Sequence, residues 1–586
     1  MTENFSVSRK RLFLAFVAIV FVVIIGRLFY WQVIKGQELK SLSEQQAIRS
    51  QTQEGLRGQI YTSDGYLLVG NQEVYDLKLD RQHFSGDVEK LSQQLAAIIA
   101  QENWQFQDAS DSASKNLIQQ QIESNLISKF SSQASWPQLA SQLSAKAKDE
   151  ILSLGNPYLA FDASFTRFYP EASMAAHLTG FVGRDENGNE IGRYGVEGAL
   201  EDELKPRKEH GWFYTDALGT LLAGSNYQLK NLNGRDLTLT IRRDVQHIAE
   251  TNLAWGIEHY GAERGEIIIL DSKTGQILAL ATWPNYQQWQ YFKYPGEILK
   301  NPSLTRLYEP GSTFKVLTVA SAIDAGVITP NTVCTHCAGP RQFGTYTIRT
   351  WNDEYHPNIT MTEALEKSDN IAMIFVAELL GQEKFTAYLK KFGIGQNLAI
   401  DLQDDSSTYF PQKIGPVELA TISFGQGIST NSLQLLRAVN VIANKGVLLE
   451  PKIIKKVYDH QLQEEIEVDR EIGKRVISAD TAAQVTEMMV SAAEHGEAQW
   501  IASKRYKVAA KTGTSQVPDP AGGYKSDETI ASFIGFAPAN DPQFTMLVKL
   551  ENPQSSPWAA ETAAPLWYKT ADKLLILFNI TPELDN

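Results

Sequence analysis

The chain opens on an apolar run and then changes texture twice. Leu12 to Gly26 is unbroken apolar sequence over 15 residues, and after Arg27 the pattern continues through LFYWQVI to Ile34. Taken as one helix, Leu12–Ile34 is 23 residues, or about 35 Å, long enough to cross a bilayer. From Gln45 to about Gly234 the sequence is polar and mixed. Residues 92–145 carry apolar positions at helical spacing, as in LSQQLAAIIA and WPQLASQLSAKAKDEIL, and predict helices with exposed polar faces. After Asn233-Gly234-Arg235 the pattern shifts again. DLTLTI alternates as a strand does, and DVQHIAETNLAWGIEHY has a helical apolar stripe. GEIIILD and QILALAT are strand-like runs joined by a turn at Ser272-Lys273-Thr274-Gly275. Mixed helix and strand patterns then continue to about residue 575, predicting an α/β domain over 236–586.

At 586 residues the chain is too long for a single core. Arg9, Lys10 and Arg11 precede the apolar run, so residues 1–11 form a short cytoplasmic tail. Residues 12–34 form the membrane anchor, and everything after residue 35 is exported. Arg27 lies near the outer end of the span, where its long side chain can reach the interface, and Tyr30 and Trp31 stand where an aromatic belt would be. No site of small residues follows the run, which argues against a cleaved signal peptide. The net charge of −14 gives no electrostatic support to a nucleic-acid partner. Nine histidines and two cysteines argue against a disulfide scaffold or a metal-rich enzyme, and no cofactor is called for. Cys334-Thr335-His336-Cys337 leaves three readings open: a local disulfide in an oxidising compartment, two free thiols, or a zinc site completed by His336 and His356.

Three short motifs occur in order. Ser312-Thr313-Phe314-Lys315 follows Glu309-Pro310-Gly311. Ser368-Asp369-Asn370 opens the apolar helical stretch NIAMIFVAELLG. Lys511-Thr512-Gly513-Thr514 ends the strand-like segment YKVAAKTGTSQV. Each is weak alone, since Ser112-Ala113-Ser114-Lys115 is a second S-x-x-K and Lys273-Thr274-Gly275 a second K-T-G. The first of these lies in a polar helix and the second in a turn, so local structure accounts for both. The ordered trio has a chemical logic. A serine hydroxyl attacks only when a neighbouring base takes its proton. With Pro310-Gly311 breaking the chain, Ser312 and Lys315 fall three apart on one helical face. Lysine serves as that base only where burial or a nearby cation favours its neutral form, and Lys511 is a candidate cation. Ser368 and Asn370 can relay a proton and hold a substrate amide. A K-T-G-T strand edge, with Lys511, Thr512, Gly513 and Thr514, offers backbone groups to an extended peptide, and a cation and hydroxyls to its carboxylate.

This ordered combination resembles the class B penicillin-binding proteins, the monofunctional peptidoglycan D,D-transpeptidases. Arg57-Gly58-Gln59-Ile60-Tyr61 resembles that family's segment after the anchor, with Thr62 and Ser63 departing from the usual Asp-Arg. Arg167-Phe168-Tyr169-Pro170 and Gly195-Val196-Glu197-Gly198 resemble its pedestal signatures. Gly425-Gln426-Gly427 is followed by Asn431-Ser432 where Thr-Pro is common, and Gly535-Phe536-Ala537-Pro538 also matches. The resemblance implies a transmembrane helix, an elongated non-catalytic pedestal (dimerisation-like) domain over 45–235, and a penicillin-binding transpeptidase domain over 236–586. That last domain is expected to be an antiparallel sheet flanked by helices, an α+β/α/β fold.

The resemblance also implies roles. Ser312 would be the acylated nucleophile and Lys315 its base. Ser368 and Asn370 would complete the relay. Lys511, Thr512, Gly513 and Thr514 would hold the carboxylate of a stem peptide or β-lactam, with the backbone N–H groups of Ser312 and Thr514 as oxyanion hole. The implied partners are peptidoglycan stem peptides ending in D-Ala-D-Ala, β-lactams, the cytoplasmic membrane, a membrane glycosyltransferase and division proteins. Glu309 before Pro310, and Asn370 closing the second motif, favour the cell-division over the elongation branch. No glycosyltransferase signature precedes the transpeptidase region, and no C-terminal repeat module is expected after it. A β-lactamase or β-lactam sensor would share the trio, but hydrolysis needs a further base for water, and neither role calls for a large pedestal. A non-catalytic scaffold would be free to lose Ser312 or Lys315, and both are present.

Overall fold

The computed structural model describes residues 3–40, 48–105, 112–214, 231–403, 408–468, 473–519 and 522–583. The chain divides into two compact units, Met1–Leu56 with Pro206–Gly234, and Arg57–Lys205 with Arg235–Asn586. In the first unit a helix over Glu3–Phe29 widens into a π-turn at Tyr30–Ile34. Its apolar stretch, Arg9–Ile34, is long enough to cross a membrane, and none of it is buried. The same unit carries an antiparallel ribbon of Ile48–Glu54 with Lys208–Tyr214.

Two sheets organise the second unit. The larger, seven-stranded sheet runs in the order Glu464–Glu467, Ile454–Asp459, Asp236–Leu239, Ile60–Tyr61, Leu67–Leu79, Gln138–Leu143, with Leu159–Phe168 also paired to Leu67–Leu79. Helices Val88–Gln105, Ser112–Phe130 and Ala145–Leu152 supply the core on this part of the molecule through Leu91, Leu95, Leu126 and Ile151. The stretch WPQLASQLSAKAKDEIL departs from its helical expectation. Gln138–Leu143 is a strand paired with Leu67–Leu79, and the helix starts only at Ala145, where the Ser144 side chain accepts a hydrogen bond from the Ala147 N–H. Leu139 and Leu143 are both buried, so tertiary pairing overrides a local pattern that fits either period.

Three signature segments of this region meet at one buried carboxylate. Glu197, 0% exposed, receives Arg57 Nε at 2.7 Å on one oxygen and Arg167 Nε at 2.8 Å on the other. Arg167 also reaches the Gly58 carbonyl at 2.7 Å, and Arg57 reaches Glu201 at 2.7 Å. Burial pushes the Glu197 carboxyl up, but Arg167 and Arg57 together hold it below the usual carboxylate range.

The five-stranded sheet is antiparallel throughout. Its strands are β1 (Arg264–Asp271), β2 (Ile277–Trp283), β3 (Ala509–Pro518), β4 (Tyr524–Ala537) and β5 (Phe544–Glu551), in the order β2-β1-β5-β4-β3. The bordering helices are α1 (Arg243–Tyr260), α2 (Lys315–Asp324), α3 (Asn370–Leu380), α4 (Ser432–Ala443), α5 (Ala479–His495) and α6 (Ala563–Leu577). Side chains alternate along β1 as a strand requires: Ile267 and Ile269 join the core under α1 and α6, whereas Ile268 and Leu270 join the core containing α2, α3 and α4. The sheet is therefore covered on both faces, and β3 is left at its edge.

Candidate active site

The S-x-x-K segment is not one continuous α-helix. Gly311–Phe314 forms a single 3₁₀ turn, and α2 begins at Lys315. A 3₁₀ turn stacks residues three apart more directly than an α-helix does, so Ser312 and Lys315 share one side of it. The Thr313 hydroxyl braces the turn by donating to the Pro310 carbonyl at 2.7 Å. Below it, the Gly311 N–H donates to the Gly425 carbonyl at 3.0 Å. Gly425 has φ +82°, and a Cβ there would stand 2.2 Å from the Gly311 carbonyl oxygen, so only glycine fits under the turn. The chain entering the turn is paired as well, Tyr308 exchanging N–H···O bonds of 3.0 Å with Thr430. The departure at Asn431-Ser432 has a local explanation, since the Asn431 side chain caps α4 by accepting from the Gln434 N–H at 2.8 Å.

Lys315 is 0% exposed, whereas Ser312 is half-buried. The Lys315 ammonium donates to the Ser368 carbonyl at 2.5 Å, the Ser368 hydroxyl at 3.2 Å and Asn370 Oδ1 at 2.8 Å. Burial, reinforced by the Lys511 cation, lowers Lys315 to about 7, against an opposing pull from Glu497 and Asp369. Ser368 holds φ +54°, a left-handed conformation that costs a non-glycine residue about 1–3 kcal/mol, and it offers both its carbonyl and its hydroxyl to Lys315. Asp369 is the N-cap of α3, accepting from the Ala372 N–H at 2.9 Å. Asn370 Nδ2 donates to the Arg349 carbonyl at 3.0 Å, which orients its oxygen toward the lysine.

The third motif lies on β3. A Cβ on Gly513 would meet Thr313 Cγ2 at 2.7 Å and the Pro310 carbonyl at 3.2 Å, so the turn carrying Ser312 stands directly on this strand. Lys511, 3% exposed, donates to the Thr512 hydroxyl at 2.9 Å, and that hydroxyl donates to Glu497 Oε2 at 2.7 Å. Burial holds Lys511 below the usual lysine range against the pull of Glu497. The Thr514 hydroxyl accepts from the Ala559 N–H at 3.1 Å, which leaves its own hydrogen to donate.

The structure thus gathers Lys315, Ser368 and Asn370 into one hydrogen-bonded cluster. Ser312 stands in the turn that leads into Lys315, packed on the strand carrying Lys511, Thr512, Gly513 and Thr514. The other S-x-x-K lies in the polar helix Ser112–Phe130, and Lys273 pairs with Asp541 at 2.8 Å in the β1–β2 turn. Glu497 was not legible as a site residue. It follows Gly496 just past the end of α5, with no motif around it. Asp369 carries one available signal, an aspartate immediately before an apolar helical run. Cys334 and Cys337 are disulfide-bonded, with Cα atoms 5.7 Å apart, so they do not serve as thiolate ligands. No group of three or more potential metal ligands occurs among the described residues.

Residues 265–572 match the model of the penicillin-binding protein transpeptidase domain, and 52–239 that of the penicillin-binding protein dimerisation domain. Stage V sporulation protein D of Bacillus subtilis is 31% identical over 573 residues, covering 96% of this chain and 85% of that protein. The peptidoglycan D,D-transpeptidase FtsI of Escherichia coli is 28% identical over 450 residues, 76% of this chain and 73% of that one. Penicillin-binding protein 3 from Mycobacterium tuberculosis, crystallised with aztreonam, shares the fold with a TM-score of 0.67 at 23% identity, over 91% of this chain and 98% of that chain. Penicillin-binding protein 2X from Streptococcus thermophilus does so with a TM-score of 0.70 at 22% identity, over 91% and 81%. With both domain models matched in order and the three motifs meeting around one buried lysine, the chain belongs to the class B penicillin-binding proteins.

Proposed function

We propose that this protein is a serine-type peptidoglycan D,D-transpeptidase that cross-links stem peptides of the septal wall through an acyl-enzyme on Ser312, the step that β-lactams block. The observation that carries this reading is Lys315: fully buried, lowered to about 7, held by Ser368 and Asn370, and one turn from Ser312. An ammonium uses all three contacts as a donor. Once it loses a proton, the longest contact, to the Ser368 hydroxyl at 3.2 Å, can reverse, with the hydroxyl donating to the amine lone pair. The neutral Lys315 amine takes the Ser312 proton as Oγ attacks the carbonyl carbon of the penultimate D-Ala. The N–H groups of Ser312 and Thr514 stabilise the oxyanion, a contribution of roughly 2.7–4 kcal/mol per donor. The C–N bond to the terminal D-Ala then breaks, its nitrogen receiving the proton from Lys315 by way of Ser368. An amine of a second stem peptide attacks the ester, forming the cross-link and returning the serine. The edge of β3 gives an extended peptide a strand to pair with, and Lys511, Thr512 and Thr514 hold its carboxylate.

The apolar helix at Arg9–Ile34 supports a single-pass anchor in the cytoplasmic membrane. The basic triplet Arg9-Lys10-Arg11 at its N-terminal end supports a cytoplasmic N-terminus and an extracytoplasmic catalytic domain over 236–586, carried on a pedestal over 45–235. A membrane glycosyltransferase and division proteins are the partners this arrangement serves. Fluorescent penicillin tests the reading. Wild type forms a long-lived adduct that mass spectrometry maps to the peptide containing Ser312, and Ser312→Ala forms none. Turnover of several penicillin molecules per second, or an adduct on another residue, overturns it.

A further inference from the structure

Glu309 lies three residues before Ser312 and is only 9% exposed. Its two carboxylate oxygens reach two different segments. Oε1 accepts the Gly427 N–H at 2.9 Å, and Oε2 accepts the Tyr524 hydroxyl at 2.9 Å. Gly427 belongs to the loop whose Gly425 carbonyl holds the Gly311 N–H. Tyr524 opens β4 opposite Pro518, the last residue of β3, four positions beyond Thr514. One carboxylate therefore joins the nucleophile turn, the loop under it and the far end of the β3–β4 hairpin. Burial pushes Glu309 up against the pull of these two donors, and burial together with Glu309 pushes the Tyr524 phenol up, so the phenol stays protonated and donates.

We infer that Glu309 is a positioning residue for acylation: it fixes the Ser312 turn against the edge of β3 along which the peptide lies. The inference rests on the Ser312 acyl-enzyme reading above. Two features separate it from a role in activating water. Both oxygens are engaged by donors of the protein itself, and those donors belong to the segments that shape the cleft. Misplacing a nucleophile by about an ångström costs on the order of a hundredfold in rate. The loss should therefore fall on the acylation rate constant rather than on initial binding.

The test uses the full chain in detergent. Acylation by fluorescent penicillin is followed over a range of concentrations, so that binding and the acylation rate constant separate, with adduct lifetime and a thermal melt on the same samples. Glu309→Ala should lower the acylation rate constant about 10- to 100-fold with little change in binding. In Glu309→Gln the amide oxygen still accepts from Gly427, and the amide N–H groups face a hydroxyl that can turn to accept, so its rate should stay within about threefold of wild type. Tyr524→Phe removes one arm without touching a charge and should cost about 3- to 10-fold at an unchanged melting temperature. Adding it to Glu309→Ala should cost nothing further, because the two residues act as one unit.

Unchanged acylation in Glu309→Ala overturns the inference, as do equal losses in the Ala and Gln variants or additive losses in the double variant. Normal acylation with a lengthened adduct lifetime in Glu309→Gln overturns it in favour of water activation. If Glu309→Ala does not fold, Tyr524→Phe decides, and a normal rate in that variant sinks the idea. A wild type that forms no Ser312 adduct refutes the acyl-enzyme reading first, and this inference with it.

Discussion

At Lys315 burial and a neighbouring cation act in the same direction, and an anion past the end of α5 opposes them. The sign of each effect is therefore testable. Lys315 falls from the ordinary lysine value of 10.5 to about 7, so its amine is half neutral near pH 7 and could serve as the base proposed above. Acylation should rise about tenfold per pH unit below that point and level off above it. Lys511→Ala removes a cation that depresses Lys315. The inflection should move to higher pH, and the rate near neutrality should fall further through the lost carboxylate contact. Glu497→Gln removes an anion that raises both lysines, so its inflection should move to lower pH. Rates of penicillin acylation from pH 5 to 10 check all three, and an inflection common to the three proteins would remove Lys315 as the base. The same shift carries a stability consequence. Because Lys315 is depressed on folding, the folded chain binds fewer protons than the unfolded one between about 7 and 10.5. This contribution is complete above the unfolded value and is lost as pH falls toward about 7. Ser312, Lys315, Ser368, Asn370 and Lys511 stand out in the sequence because they fall in three ordered motifs of short, fixed spacing, and the structure brings those motifs together. Glu497 does not stand out, because it arrives from another element and its role exists only in three dimensions.

The elements of the site are a turn standing on an edge strand, and the point of contact is Gly513. Its hydrogen faces Thr313 Cγ2, Ser532 Oγ and the Pro310 carbonyl, where a methyl group would sit at 2.7, 2.8 and 3.2 Å. Thr313 has no room to give way, being 0% exposed and hydrogen-bonded to Pro310. Gly513→Ala should therefore lift the Ser312 turn from β3 and slow acylation by about a hundredfold. The rest of the sheet stays paired, so a melt of the same variant should retain a single cooperative transition. Acylation at the wild-type rate would mean that the turn does not depend on this contact. Element types in this half of the molecule were legible from short apolar runs such as GEIIILD, where successive residues from Ile267 to Leu270 point into two different cores. The QLASQL stretch does not declare its type locally, because two buried leucines four apart, Leu139 and Leu143, fit a helix as well as a strand. Its pairing with Leu67–Leu79 decides the matter, and no local feature announces it. Cys334 and Cys337 stayed ambiguous for the same reason: C-x-x-C spacing allows bridge, thiols or ligands alike.

At the scale of the whole molecule, the segment carrying the three motifs is folded into one compact unit with residues 57–205, and Glu197 is a main tie within it. Removing that carboxylate leaves Arg57 and Arg167 as buried cations without their shared partner. Glu197→Ala should therefore destabilise the unit by about 3–5 kcal/mol, read by chemical denaturation, whereas an exposed pair such as Lys205–Asp202 should matter little. A loss under about 1 kcal/mol would show that the network is not what joins these segments. The N-terminal helix presents the opposite case. From Leu12 to Ile34 its large apolar side chains are exposed on every face, as in Phe13, Phe16, Ile19, Phe21 and Val23. A helix apolar all round satisfies itself only in lipid or in a core. Among the described residues none of its side chains from Leu12 to Ile34 is buried, the pattern expected of a helix that spans a bilayer. Ser312, Lys315, Ser368, Asn370 and Lys511 all lie in the second unit, whose hydrophobic clusters among the described residues are built from residues after 59. Deleting residues 1–35 should thus yield a protein that stays in solution without detergent and acylates with penicillin at the rate of the full chain. A truncated protein that folds, as judged by its melt, yet fails to label would mean that the site needs the membrane segment.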